Sequence, residues 1–437
     1  MTPAIRRLKN TLFAKYSLGI DDPNPENWTF SESIQELGVD FYREIIPSHL
    51  ILNMEYSLLG QQIRINCDKK LLSEQKLAEQ IIAAIFLAEL LEQVYEHYLI
   101  VPREVNRLRI QRQLYHELLA ELGRPLPKRL CEEKPPVDVG WSFSQQVRDR
   151  TLNINLYRLL LVRSKRALDL IAALDCSADW YRRIMGNFAR CTDPFLPHLA
   201  FLFYAPRLAV NLGLLMKHLL PGPWMKQPER DLGYQVRLQG QLLRRWFELG
   251  NDIAWVGLGY VNGYLLTGAY APVAAYLSIA FFGYDVVLAA IRAYIELNRV
   301  YEMRSQYQKM RDDAENPEAR AEIEQHLQTL ERQINFELLR FSAHVAATTA
   351  IFLAMGCGAP LFAMNPAIAL VGAIGLVVIC LINFALVPVI NQQRPKDIVE
   401  VPTGGITKLG FFAKKEEPSN LSVAEEANTH NVYPSQL

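Results

Sequence analysis

Two pairs of apolar, almost charge-free stretches constrain this chain more than any other feature. Residues 253–270 and 272–291 form the first pair, 343–361 and 367–389 the second. A helix needs roughly 20 mostly apolar residues to cross a bilayer, and each stretch is about that long. The members of each pair are separated only by short uncharged turns, GAYAP and PLFAMNP. Basic residues (Arg244, Arg245, Arg292, Arg299, Arg340, Arg394 and Lys396) flank the opposite, open ends. The expectation is an all-α integral membrane protein with two transmembrane helical hairpins. The positive-inside rule then puts the N-terminal domain, the central charged segment and the tail in the cytosol. The alternative, that these are core helices of a large soluble protein, fits poorly with two matched hairpins whose turns lack charge.

Polar residues interrupt the apolar runs at a few points. Asn251 and Asp252 stand where the first stretch would leave the headgroups, and there they would cap a helix start. Asn262, Asp285, Arg292, Thr348 and Asn383 form a candidate intramembrane polar cluster, with Asp285 two helical turns before Arg292. Polar groups in lipid are costly and turn toward neighbouring helices. They could line a path for an ion or proton, or simply tie helices together by hydrogen bonds. Small residues at close spacing (Gly257, Gly259 and Gly263; Ala271 and Ala275; Ala369, Gly372, Ala373 and Gly375) predict close helix approach, within one molecule or between copies in a homo-oligomer. A further apolar stretch, 195–220, carries Pro206, Arg207 and Asn211 near its middle. A central arginine opposes spanning, so 195–250 is expected to be an interfacial or re-entrant segment and linker, Arg207 reaching toward headgroups.

The remaining chain divides by charge. Residues 1–194 show repeated helical periodicity without strand-like alternation and are expected to form a cytosolic α-helical domain. Its first helix sets Ile5, Leu8, Leu12 and Tyr16 on one face, with Arg6, Arg7, Lys9 and Lys15 around them. Such a helix could dock on the domain, lie on an anionic membrane or act as a targeting segment. The N-terminus has no apolar core of a secretory signal. Between the hairpins (251–291 and 343–390), residues 292–342 space Leu297, Val300, Tyr307 and Met310, then Ile323, Leu327, Leu330 and Ile334, at three- and four-residue steps. With Asn316 as cap and Pro317 opening the second helix, this reads as an antiparallel coiled-coil hairpin. Residues 391–437 are polar, of mixed charge, and expected to be a disordered tail.

Equal numbers of acidic and basic residues, 46 each, leave no overall field for nucleic acid. The six cysteines are scattered without metal-ligand spacing, and HELLA at 116–120 lacks a second histidine. No phosphate loop, nucleophile elbow or dinucleotide fingerprint occurs, so no cofactor, metal or enzymatic activity is expected. In the tail, Glu416, Glu417, Glu425 and Glu426 cluster before the terminus. This resembles the C-terminal signal of type IVB (Dot/Icm-type) secretion substrates, and the architecture is similar to multi-pass effectors of Legionella-type bacteria. The resemblance implies delivery into a host cell and residence in a host membrane. The expected function is a membrane-anchored interaction protein that meets an unidentified protein partner through 1–194 or 292–341. The alternative is a component of an ion, proton or small-solute channel or transporter.

Overall fold

The computed structural model describes residues 2–14, 38–69, 72–125, 134–136, 143–174, 177–362 and 365–396. Every regular element among them is helical. In chain order these are α1 (Pro3–Asn10), α2 (Val39–Ile45), α3 (His49–Lys69), α4 (Glu74–Gln93), α5 (Pro102–Glu121), α6 (Phe143–Ala172), α7 (Asp179–Thr192), α8 (Leu196–Leu219), α9 (Gln227–Asp231), α10 (Tyr234–Tyr260), α11 (Ala271–Asp312), α12 (Pro317–Gly356) and α13 (Pro366–Gln392). Local chemistry sets several starts. Ser73 accepts the Lys76 amide to open α4. Asn316 and Asn365 do the same for α12 and α13, each followed by a proline that needs no donor there.

Three helices are long and apolar enough to cross a membrane: Gly268–Asp312, Pro317–Gly356 and Pro366–Gln392. The predicted first spanning stretch, 253–270, is not one of them. Its opening residues are the last turns of α10, which starts at Tyr234 and carries charge along its length. Nothing between 234 and 260 breaks that helix. It ends in a π-helical turn, Val261–Leu265, and a short 3-10 turn where Gly268 takes φ +62, a conformation that favours glycine.

α1 to α5 enclose one core, including Ile5, Leu8, Tyr42, Ile63, Leu87 and Tyr115. α1 is therefore docked: Arg7, one of the basic residues around its apolar face, is buried against Glu55 of α3. α11 and α12 pass one another beyond the turn at 313–316, and Val300, Met303, Tyr307, Ile323, Leu327, Leu330 and Ile334 close around Leu58 of α3. The charged segment 292–342 thus does not stand apart. It is the continuation of α11 and α12, and it lies on the head formed by α1 to α5. At 1.5 Å per residue the 42-residue α11 is about 63 Å long, roughly twice a bilayer's hydrocarbon thickness.

The expected division at residue 194 is corrected by α6. It leaves the head and packs along α13 and α8, and α8 packs along α10. The expected interfacial or re-entrant segment 195–220 is one uninterrupted helix, Leu196–Leu219. α8 is continuous through Pro206. α10 then packs on α11, and α12 on α13. The glycines mark the tightest crossings. A Cβ on Gly259 would stand 3.0 Å from the Phe201 amide nitrogen of α8, and one on Gly372 2.6 Å from the Ala354 carbonyl of α12. Gly259 and Gly372 thus serve packing inside one molecule, whereas Gly257 meets nothing within 4 Å. The predicted tail falls outside the described residues from 397 onward.

Candidate functional site

The helices of this bundle bury their polar residues and expose their apolar ones. On α6, Thr151, Asn155, Arg163 and Lys165 are buried, whereas Ile154, Tyr157, Leu161 and Leu168 are exposed, Tyr157 by 68%. On α8, Arg207, Asn211 and His218 are buried, and Leu202, Leu212 and Met216 are exposed. α10 buries Arg237, Gln241, Arg245, Asn251 and Asp252 and exposes Ile253 and Tyr260. α13 exposes Val371, Val378, Leu381 and Phe384 but encloses Asn383. A water-soluble helix shows the opposite arrangement.

Asp252 sits at the centre of the interior. The Arg207 Nε donates to its Oδ1 at 2.8 Å and Oδ2 at 3.1 Å, Arg207 Nη2 donates as well, and Asn211 Nδ2 reaches Oδ2 at 3.0 Å. Asp252 and Asn211 are completely buried and Arg207 nearly so. Two expectations fall here. Asn251 and Asp252 do not cap a helix start, because α10 begins at Tyr234 and runs through them. Arg207 does not reach for headgroups, because an aspartate on the facing helix lies within reach of its fork. No spacing rule links residues 207 and 252; only the pairing of α8 with α10 brings them together.

The other predicted polar residues are distributed along the bundle. Asn262 donates to Ser278 Oγ at 2.8 Å, tying the π-helical turn to α11. Asp285 accepts from Trp255 Nε1 at 3.1 Å. Arg292 is not its partner: that guanidinium lies 4.4 Å from the centroid of Phe247 and 5.9 Å from that of Phe341. Thr348 donates to backbone carbonyls of its own helix, at His344 and Val345. Asn383 is buried on α13, its Nδ2 without a hydrogen-bond partner among the described residues.

Asp285 and Thr348 nevertheless meet. Both line a cavity of ≈ 30 Å³, together with Arg158 and Arg163 of α6, Tyr204 of α8, and Asn251 and Trp255 of α10. Arg158 donates to Asn155 at 3.0 Å and lies over the Tyr204 ring, whose hydroxyl accepts from Asn155 at 3.1 Å. Arg163 points its Nη1 at Cys380 of α13. Farther along α6, Arg166 donates to the Gly358 carbonyl at 3.3 Å, in the turn between α12 and α13. That turn has no basic residue of its own, but the fold supplies one. The arginines of α6 carry no hydropathy signal that marks them as buried. Their only sequence trace is an apolar stripe (Ile154, Tyr157, Leu161, Leu168) on the face opposite them.

A second polar knot holds the head to α11 and α12. Glu55 of α3, fully buried, accepts from Arg7 and from the Tyr307 hydroxyl at 2.8 Å to each oxygen, with His326 Nε2 at 3.4 Å. Burial alone would raise the Glu55 carboxyl, but the Arg7 charge and the bonds from His326 and Tyr307 more than offset it and hold it below its ordinary value. Nearby, His49 Nδ1 donates to the Ile46 carbonyl oxygen at 2.6 Å, and burial pushes the imidazole down to about 4, aided by Arg244 and Arg299.

Among the described residues no group of three or more metal-type side chains comes together, and Cys67, Cys191, Cys357 and Cys380 are free thiols. No family model matches this chain, and neither curated proteins nor solved structures give a match. What the chain does must be read from its own residues.

Proposed function

We propose that this is a multi-pass membrane protein that holds a rigid helical head at the bilayer surface and presents it to partner proteins. The carrying observation is the inverted polarity of α6, α8 and α10. Exposed leucine, isoleucine and tyrosine outside, with arginine, asparagine and aspartate inside, is the arrangement that lipid favours. In this reading α6, α8 and α10 enter the membrane beside the three apolar helices, and the two-hairpin topology gives way to a six-helix bundle. α7 packs on the C-terminal part of α6, with Trp180, Ile184 and Phe188 exposed and Arg182, Arg183 and Arg190 around them, as an interfacial helix would be.

The Glu55 knot supports the second half of the proposal. A coiled-coil hairpin formed by α11 and α12, locked to α3 through buried charge, makes the head a single surface rather than a flexible appendage. The head-side ends carry more basic residues (Arg244, Arg245, Arg292, Arg299, Arg340 and Arg394) than the other end, where α7 brings Arg182, Arg183 and Arg190, and that excess favours a cytosolic head. The glutamate-bearing tail would serve as a secretion signal if the chain is delivered to a host membrane.

The test uses the full chain. A cysteine introduced at Leu161 is expected to resist a membrane-impermeant maleimide in intact vesicles, and one at exposed Glu331 to react from the head side. Ready labelling at Leu161 from the aqueous phase would sink the lipid-embedded reading. Crosslinking from Glu331 in native membranes should capture a defined partner that a headless chain loses.

The cavity favours a second reading, transport through the bundle interior. Flux of an ion in proteoliposomes that disappears in Asp285→Asn, with folding intact, would establish it over the first.

A further inference from the structure

From the cavity between α6, α8, α10, α11 and α12 we infer a binding site for a small monovalent anion of the chloride class. The site rests on the interior geometry alone and stands whether or not the head recruits a partner.

Three observations converge. First, Arg163 and Asn251 are each more than nine-tenths buried and line the cavity, and Arg163 Nη2 and Asn251 Nδ2 lack a hydrogen-bond partner among the described residues. Both are donors. A buried donor without an acceptor is costly, and a charged one more so.

Second, the charge does not balance. Arg158 and Arg163 face the cavity against Asp285 alone, an excess of one positive charge. Among the described residues no carboxylate lies within ion-pair distance of Arg158, Arg163 or Arg166. The contrast with their neighbours is sharp. Lys165 on the same helix is met by Asp169 at 2.5 Å and Asp193 at 2.8 Å, and Arg207 by Asp252. Asp252, beside the cavity-lining Asn251 on α10, is thus already matched. Water could satisfy the donors, but it could not neutralise the excess charge in a low-dielectric interior.

Third, the size is selective. A cavity of ≈ 30 Å³ has room for one or two water-sized particles, hence for a halide ion but not for a phosphate ester or an amino acid. Phe282 and Ile351 close its apolar side. The arrangement of guanidinium and amide donors with an indole N–H occupied elsewhere suits a spherical acceptor without a preferred direction.

The experiment follows thermal unfolding of the purified full chain in nanodiscs at constant ionic strength, with chloride replaced by gluconate. Chloride is expected to raise the midpoint saturably and gluconate not at all. Bromide should quench Trp255, which lines the cavity, with a saturable component absent in Trp255→Phe. Arg163→Gln should remove both effects. Should that variant fail to fold, Asn251→Leu deletes the second free donor without disturbing α6 and should weaken them. Asp285→Asn removes the one like charge lining the same small cavity and is expected to lower the half-saturating chloride concentration by at least about tenfold, from the repulsion of like charges at an effective dielectric of about 20. Equal stabilisation by chloride and gluconate, or saturable quenching unchanged in Arg163→Gln and Asn251→Leu, overturns the assignment. So does loss of chloride binding in Asp285→Asn, which would make the carboxylate a ligand and point to a cation or proton instead.

Discussion

Breaking the Arg207–Asp252 pair should loosen α8 from α10, and the size of the effect follows from the geometry. Asp252 receives three contacts from one guanidinium and one from Asn211, all inside a region that excludes water. Asp252→Leu leaves Arg207 as a buried charge without its counter-charge, which costs about 3–5 kcal/mol. Neutral hydrogen bonds between membrane helices are worth only about 0.6–2 kcal/mol, so the charge dominates. Arg207→Met strands the aspartate and should cost a similar amount. The double variant removes both charges and should recover most of the loss, ending within about 2 kcal/mol of the original chain. The coupling from the double-mutant cycle is therefore expected to be about 3 kcal/mol or more. Equilibrium unfolding in mixed micelles, followed by tryptophan fluorescence, measures it. Single losses under about 1 kcal/mol that simply add in the double variant would refute the buried pair and return Arg207 to the headgroups.

The head and the helix crossings give further expectations. Glu55 titrates below its ordinary 4.5, so its stabilisation is complete above that value and is lost as pH falls through the lower folded one. Acid unfolding monitored by circular dichroism should show this limb, and Glu55→Gln should abolish it at a cost of about 3–5 kcal/mol from the stranded Arg7. His49 acts higher on the scale. Held at about 4 against an ordinary 6.5, it stays neutral when folded, so protonation of the unfolded chain should remove about 3 kcal/mol between those two values; His49→Gln should flatten that limb. Gly372→Ala would set a methyl 2.6 Å from the Ala354 carbonyl and should cost about 1–3 kcal/mol, whereas Gly257→Ala, with nothing within 4 Å, should be neutral.

Much of the local structure was legible in the residues. Asn316 with Pro317 announced the start of α12, and Pro102 that of α5, because caps and prolines act on their own backbone. The seam of Val300, Tyr307, Ile323, Leu327, Leu330 and Ile334 was likewise readable from spacing. The candidate site was legible only in part. Asp285 and Thr348 stood out as polar residues in apolar helices, but Arg158 and Arg163 sit in a helix whose average polarity looks soluble. Hydropathy sums over a helix and discards direction, so one that turns arginine inward and leucine outward cannot be told from its mirror case. Asn251 and Asp252 look like a helix start for a related reason: polarity falls just after them, while the helix begins at Tyr234, about five turns earlier.

Residue chemistry alone determined that this chain would be helical, and of the four stretches it marked as able to span a membrane three lie in helices long and apolar enough to do so, because length, apolar content and caps are properties of neighbours in the chain. Which faces meet was decided by the fold. Residue 7 finds 55 and 306, 207 finds 252, and 163 finds 380 only once the helices have packed. A charge on one helix has no partner until another is beside it, and burial, which makes that partner indispensable, does not exist in an isolated stretch.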